Sequence, residues 1–142
     1  MSHTARLLVR EVVCVPPSEP LLEVVRLMKA KHIGCVVVTE GGRLTGLFTE
    51  RDLVVKVLPE GLDLASTAVS QVMTRDPETV DCDEPLERVF ELLSRRRFRH
   101  VPITDKGRPA GMVSMSDFAS VLREVFSEGR YIQYFVDYCA KR

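Results

Sequence analysis

Gly46-Leu-Phe-Thr49-Glu-Arg-Asp52 and Gly111-Met-Val-Ser114-Met-Ser-Asp117 follow one template, 65 residues apart. The offset runs without a gap from Val13–Val57 to Glu78–Leu122, and twelve of the 45 pairs are identical. Val15/Val80, Pro20/Pro85, Leu27/Leu92, Gly42/Gly107, Gly46/Gly111 and Asp52/Asp117 are among them. Such a duplication constrains the fold strongly, because each copy must be one supersecondary unit with its own apolar face to bury. A unit of about 60 residues is marginal by itself. The two copies are therefore expected to pack together and share a core.

Each copy reads as strand, helix, strand, strand, helix. In the first, Val12 to Val15 is a short apolar strand stopped by Pro16 and Pro17. Ser18 is expected to cap the next helix, with Pro20 tolerated in its first turn. Leu21, Leu22, Val24, Val25, Leu27 and Met28 then recur at helical spacing. Ile33 to Thr39 is β-rich, Gly41-Gly42 signals a hairpin, and Leu44 to Phe48 is the returning strand. Thr49 opens a second helix. The second copy repeats this order from Thr79-Val80, with Asp83 as the expected cap and Lys106-Gly107 as the hairpin turn.

The expected fold class is α/β (α+β), built from two tandem β-α-β-β-α repeats. The first repeat covers 7–58, a linker and lead-in 59–71, and the second repeat 72–124. A C-terminal helical tail is expected over 125–142, with Tyr131, Tyr134, Phe135 and Tyr138 on one face.

Charge narrows the partners. Twenty basic and twenty acidic residues give a formal net charge of zero, so long-range attraction to nucleic acid or acidic lipid is not indicated. Arg95-Arg96-Arg97-Phe98-Arg99-His100 is a local basic run, read as a helix end or a phosphate contact before a nucleic-acid patch. No apolar run approaches the roughly 20 residues of a membrane span, and no secretory signal is visible. Four unmatched cysteines (14, 35, 82 and 139) without C-x-x-C spacing argue against a disulfide framework or zinc site, and for a cytoplasmic protein.

Thr49-x-x-Asp52 and Ser114-x-x-Asp117 each fit a helix capping box, in which the acid folds back onto the cap N–H. Three features add a functional reading: the box occurs twice at equivalent places, a glycine precedes each hydroxyl by three residues, and each box follows directly on a strand. Glycine permits close approach of a ligand to the backbone. A helix N-terminus at a strand end offers N–H groups to an anion. A carboxylate there suits a neutral diol, since ionised Asp is acceptor-only. A nucleotide meets both demands, with phosphate at the N–H groups and sugar at the acid.

The repeated Gly-h-h-Ser/Thr-x-x-Asp (h apolar) resembles the signature of paired CBS domains, the Bateman module. Phe98-Arg99-His100-Val101-Pro102-Ile103-Thr104-Asp105 and the approach Val72-Met73-Thr74-Arg75-Asp76-Pro77 carry the same resemblance over about residues 7–124. It implies two repeats about a pseudo-twofold axis and an adenosine-containing ligand (AMP, ADP or ATP, ahead of NAD or S-adenosylmethionine) in the cleft between them. By the same resemblance Asp52 and Asp117 hold ribose hydroxyls, and Thr49 and Ser114 contact ribose or phosphate beside Arg51 and Ser116. Ile33-Gly34-Cys35 and Phe98-Arg99-His100 line adenine, with Arg99 and His100 also reaching phosphate. Thr4 to Leu8 and Thr67 to Met73, including Val72, close the pockets. Val37 against Pro102, Gly34 against Arg99 and Leu8-Val9 against Met73-Thr74 make the two sites unequal.

No catalytic motif is present, and Cys35 with His100 is too thin a basis for a nucleophile. The expectation is a non-enzymatic regulatory module with no required cofactor and no metal. It pairs as a homodimer and signals to an unknown protein partner by a population shift. The alternative is a ligand-free structural dimerisation or interaction module whose acids only cap helices.

Overall fold

The computed structural model of the chain describes residues 3–9, 11–95, 99–125 and 140. Two sheets carry the two copies. In the first, β1 (Cys14–Val15) runs parallel to β2 (Cys35–Glu40), and β2 pairs antiparallel with β3 (Arg43–Thr49). β4 (Thr74–Arg75) adds an antiparallel edge to β3. The second sheet repeats the first three strands as β5 (Val80–Asp81), β6 (His100–Asp105) and β7 (Arg108–Ser114). Helices α1 (Leu21–Lys31) and α3 (Leu86–Ser94) provide the crossovers between the parallel strands. After β3, α2 (Glu50–Asp52) continues as a π-helical stretch, Leu53–Val57; after β7 comes α4 (Met115–Val125). The mixed α+β order expected from the repeat is present in both halves. The aromatic tail and Phe98 lie outside the described residues.

β2 is buried on both faces, which explains why Cys35–Val38 is a continuous apolar run rather than an alternating one. Val36 and Val38 join Leu21, Val24 and Phe48 in the core of the first half. Cys35, Val37 and Leu47 point the other way and meet Met112 of the second half. The hairpins cross there: Leu44 N–H donates to Gly107 O at 3.1 Å, the Arg43 guanidinium lies against Gly107, and that of Arg108 lies against Gly42. Both turns need left-handed backbone, supplied by Gly41-Gly42 (φ 59° and 78°) and Lys106-Gly107 (52° and 82°).

The lead-in segments are exchanged. The 3-10 turn Ala5–Leu8 precedes the first copy, yet Ala5 and Leu8 are buried in the core of the second, with Val80, Leu92 and Ile103. Val69 and Met73 precede the second copy and are buried in the core of the first. This exchange corrects the expected helix caps. Neither Ser18 nor Asp83 caps a helix; the N-cap residues are Pro20 and Pro85. The orphan N–H groups find carbonyls on the exchanged segments instead. Leu21 N–H donates to Thr67 O (2.9 Å), Leu22 N–H to Leu64 O (3.0 Å) and Leu86 N–H to His3 O (3.0 Å).

Candidate functional site: a cavity between the two copies

Both signature turns form capping boxes. Asp52 N–H donates to Thr49 Oγ1 (3.2 Å) while Asp52 Oδ2 accepts from Thr49 N–H (3.0 Å). In the second copy, Asp117 N–H donates to Ser114 Oγ (3.2 Å), and Asp117 Oδ2 accepts from Ser114 N–H (3.1 Å) and Ser114 Oγ (2.8 Å). The Ser116 hydroxyl lies 3.0 Å from that of Ser114. Each acid thus curls back through Oδ2 alone. Asp52 Oδ1 faces the Lys56 ammonium at 3.2 Å, whereas Asp117 Oδ1 has no partner among the described residues. A carboxylate oxygen accepts two hydrogen bonds, so capping leaves capacity at both acids.

Beside Asp52 a cavity of about 710 Å³ opens between the copies, within the range of about 300–1,000 Å³ common for small-molecule sites. Thr49, Glu50, Arg51, Asp52 and Lys56 form one wall, with Leu47. The stretch Thr74 to Glu78 forms the second, and Arg99 with His100 of the second copy the third. Asp76 takes a left-handed φ of 44°, which Asp tolerates, and its N–H donates to Thr45 O at 3.0 Å. That bend carries the chain from β4 around the cavity to Glu78.

Charge in the lining is balanced. Lys56 pairs with Asp52, and Glu78 with Arg95 at 3.4 Å. The Arg75 guanidinium is turned to Ser70 O (3.1 Å). Arg51 and Arg99 make no ion pair among the described residues, which leaves two guanidiniums for an anion. Burial pushes the His100 imidazole below its ordinary 6.5; Arg99 acts in the same direction, against the opposing charges of Glu50 and Asp117. His100 is neutral at pH 7 and enters the site as a hydrogen-bonding group.

Sequence reasoning placed Thr49, Arg51, Asp52, Arg99 and His100 in a pocket, and the fold brings these five together. It missed Lys56 and the wall from Thr74 to Glu78. Lys56 was findable from its i+4 spacing to Asp52.

Several expected contacts lie elsewhere. Thr67 is buried and donates to Asp63 O (2.6 Å), while Val72 and Met73 pack in the first core. Ile33 packs on that core, Cys35 sits between the sheets, and Thr4 bridges Pro85. Gly34 is covered by the Glu50 carboxylate, which lies 3.0 Å from where a Cβ would stand. None of these lines the Asp52 cavity.

The reading of Gly46 and Gly111 as openings for a ligand is overturned. A Cβ on Gly46 would collide with Met73 Sδ, and one on Gly111 would lie 2.5 Å from the Leu8 carbonyl oxygen. The glycines admit the exchanged lead-ins instead. Cys35 is a poor nucleophile: burial, then the Asp52 charge, push its thiol up to about 12. Asp81, Cys82 and Asp83 bring ligand-type atoms within 4.8 Å of one another. Arg6 already fills that corner, donating to Cys82 Sγ (3.0 Å) and Asp83 Oδ1 (2.6 Å).

Comparison with known proteins gives one consistent picture. The family model for the CBS domain matches residues 5–58 and 69–124. The CBS domain-containing protein YhcV of Bacillus subtilis is 30% identical over 119 residues, 84% of each chain. Several Arabidopsis thaliana CBS domain-containing proteins also match, and the chain spans about a fifth of their length. Among solved structures, ATU1752 of Agrobacterium tumefaciens is 35% identical with TM-score 0.71, covering 84% of this chain and 98% of that one. CBSX2, solved in complex with AMP, shares the fold at 20% identity, with TM-score 0.74 over 87% of this chain and 98% of that one. No helix among the described residues is long and apolar enough to cross a membrane. With two matched repeats, two sheets that share a three-strand pattern and reciprocal lead-ins, the chain belongs to the CBS-domain family as a tandem CBS pair, a regulatory module.

Proposed function

We propose that this CBS pair senses an adenosine-containing nucleotide in the cavity between Asp52 and His100, without catalysing a reaction on it. The observation that carries the reading is the composition of the cavity walls. The Asp52 carboxylate stands on one copy, and two guanidiniums, Arg51 and Arg99, without ion-pair partners among the described residues, flank the space. The Asp52 carboxylate takes the sugar hydroxyls, the guanidiniums of Arg51 and Arg99 take phosphate, and neutral His100 donates a hydrogen bond. The balanced lining favours AMP over ADP and ATP, because no surplus positive charge is present for a longer polyphosphate. NAD and S-adenosylmethionine rank behind these. The AMP complex of a CBS protein with the same fold supports this class of ligand. Asp117, Ser114 and Ser116 form the second, pseudo-equivalent site of the proposal, with Asp117 Oδ1, unpartnered among the described residues, as its acceptor.

Signalling follows from position. A ligand touching both copies favours the packing that brings its walls together, by no more than its differential affinity for the two packings. Val54, Val55 and Leu58 are exposed beside α2, an apolar patch that suits pairing with a second copy. Isothermal titration with AMP, ADP and ATP on wild type, Asp52→Ala and Arg99→Ala tests the site. Saturable binding lost with Asp52→Ala is expected. Wild type binding none of the three would leave the scaffold reading in possession.

A further inference from the structure

Among the described residues, the Asp52 turn carries a tie that its copy lacks. Lys56 lies one helical turn beyond Asp52, with its ammonium 3.2 Å from Asp52 Oδ1, 3.3 Å from the Val72 carbonyl oxygen and 3.4 Å from Thr74 Oγ1. It fastens the carboxylate of one wall to the lead-in strand of the next. In the second copy the matching positions are Val121 and Val9, so the ammonium and the threonine hydroxyl of the tie are both missing there. The Asp52 end of the pair is sheltered, with its side chain 13% exposed, while the Lys56 side chain is 42% exposed. Asp52 Oδ2 gives one of its two acceptor sites to the cap. Oδ1 lies outside the cap, and Lys56 is the group that fixes it.

On the reading that the cavity holds an adenosine nucleotide, we propose that Lys56 is a positioning residue that makes this site select ribose. It holds Asp52 Oδ1 in place at a set distance from the β4 wall. The diol then donates to a preplaced acceptor and need not order it on binding. Lys56 acts on the sugar through Asp52 and makes no contact with phosphate. The second site, lacking the tie, discriminates sugars less.

The test is a cycle of two ligands and three proteins. AMP and 2′,3′-dideoxyadenosine monophosphate are titrated against wild type, Lys56→Met and Lys56→Arg. Wild type prefers AMP. Lys56→Met weakens AMP by about tenfold and leaves the dideoxy ligand unchanged, so the preference collapses; Lys56→Arg restores most of it. The cycle isolates the coupling between ammonium and diol, which a general loss of stability would not move. Equal losses on both ligands, or a preference untouched by Lys56→Met, overturn the role of Lys56 while leaving the site intact. Wild type binding neither ligand overturns the site and the role together.

Discussion

In the first copy the signature carboxylate is held between a backbone N–H and an ammonium; in the second, among the described residues, it is held by Ser114 alone. The capping geometry is the same in both. What differs is the surroundings: Glu50, Arg51 and Lys56 follow Thr49, where Met115, Ser116 and Val121 occupy the matching places. A duplicated fold repeats what each unit needs to close its own helix. Positions outside that requirement are free to diverge, and those positions set what a cavity can hold. The shared motif therefore speaks first of folding, and its unshared neighbours of ligand choice.

The comparison is broken most directly at the glycines. Gly111→Ala drives a Cβ into the Leu8 backbone, which has no rotamer to offer, and about 3 kcal/mol of stability should be lost in urea unfolding. Gly46→Ala meets the flexible Met73 side chain and should cost about 1 kcal/mol. Equal costs would show that the two lead-ins are packed with equal tolerance.

Ligand linkage comes next. At about 100 times its Kd, AMP should stabilise wild type by about 2.7 kcal/mol, read as a rise in Tm. Asp52→Ala should abolish that rise at this concentration and Asp117→Ala should retain it. The reverse pattern would move the primary site to the other acid. Smaller still, Thr49→Ala and Ser114→Ala each remove a cap and should cost about 1 kcal/mol without ligand. Ser114→Ala should be the more costly, because its hydroxyl also donates to Asp117.

The smallest effect concerns pH. The folded protein holds His100 below 6.5 through burial, so the unfolded chain takes up a proton first as pH falls. This contribution is full above pH 6.5, and stability should decline as pH drops through that value, until the folded imidazole also protonates. His100→Gln should flatten that decline in a pH series of unfolding curves. A phosphate bound near His100 raises its pKa, so AMP binding should take up protons near pH 6.5, visible in titrations across buffers of different ionisation enthalpy.

Much of the fold was legible because the repeat and its periodicity are local properties. The α1 stripe, both hairpin turns and the continuous β2 run follow from residue spacing and glycine placement. The helix caps were misassigned because their acceptors, the carbonyls of Thr67 and His3, arrive from segments distant in sequence. The glycine reading failed for the same reason. No local pattern indicates that Leu8 crosses above Gly111 or Met73 above Gly46. For the site, Thr49, Arg51, Asp52, Arg99 and His100 were visible as motif residues. β4 was not, since Thr74-Arg75 becomes a strand only by meeting the edge of β3.

The exchanged lead-ins carry a consequence for assembly. Residues 5–8 complete the far half of the molecule, and residues 69–73 complete the near one. A half released by cleavage near Gly61 would therefore expose the seat of a segment carried by its counterpart. The same reciprocity lets two chains trade halves at no loss of internal contacts. Fragments 1–61 and 62–142, expressed separately, should reassemble in trans, each closing the other.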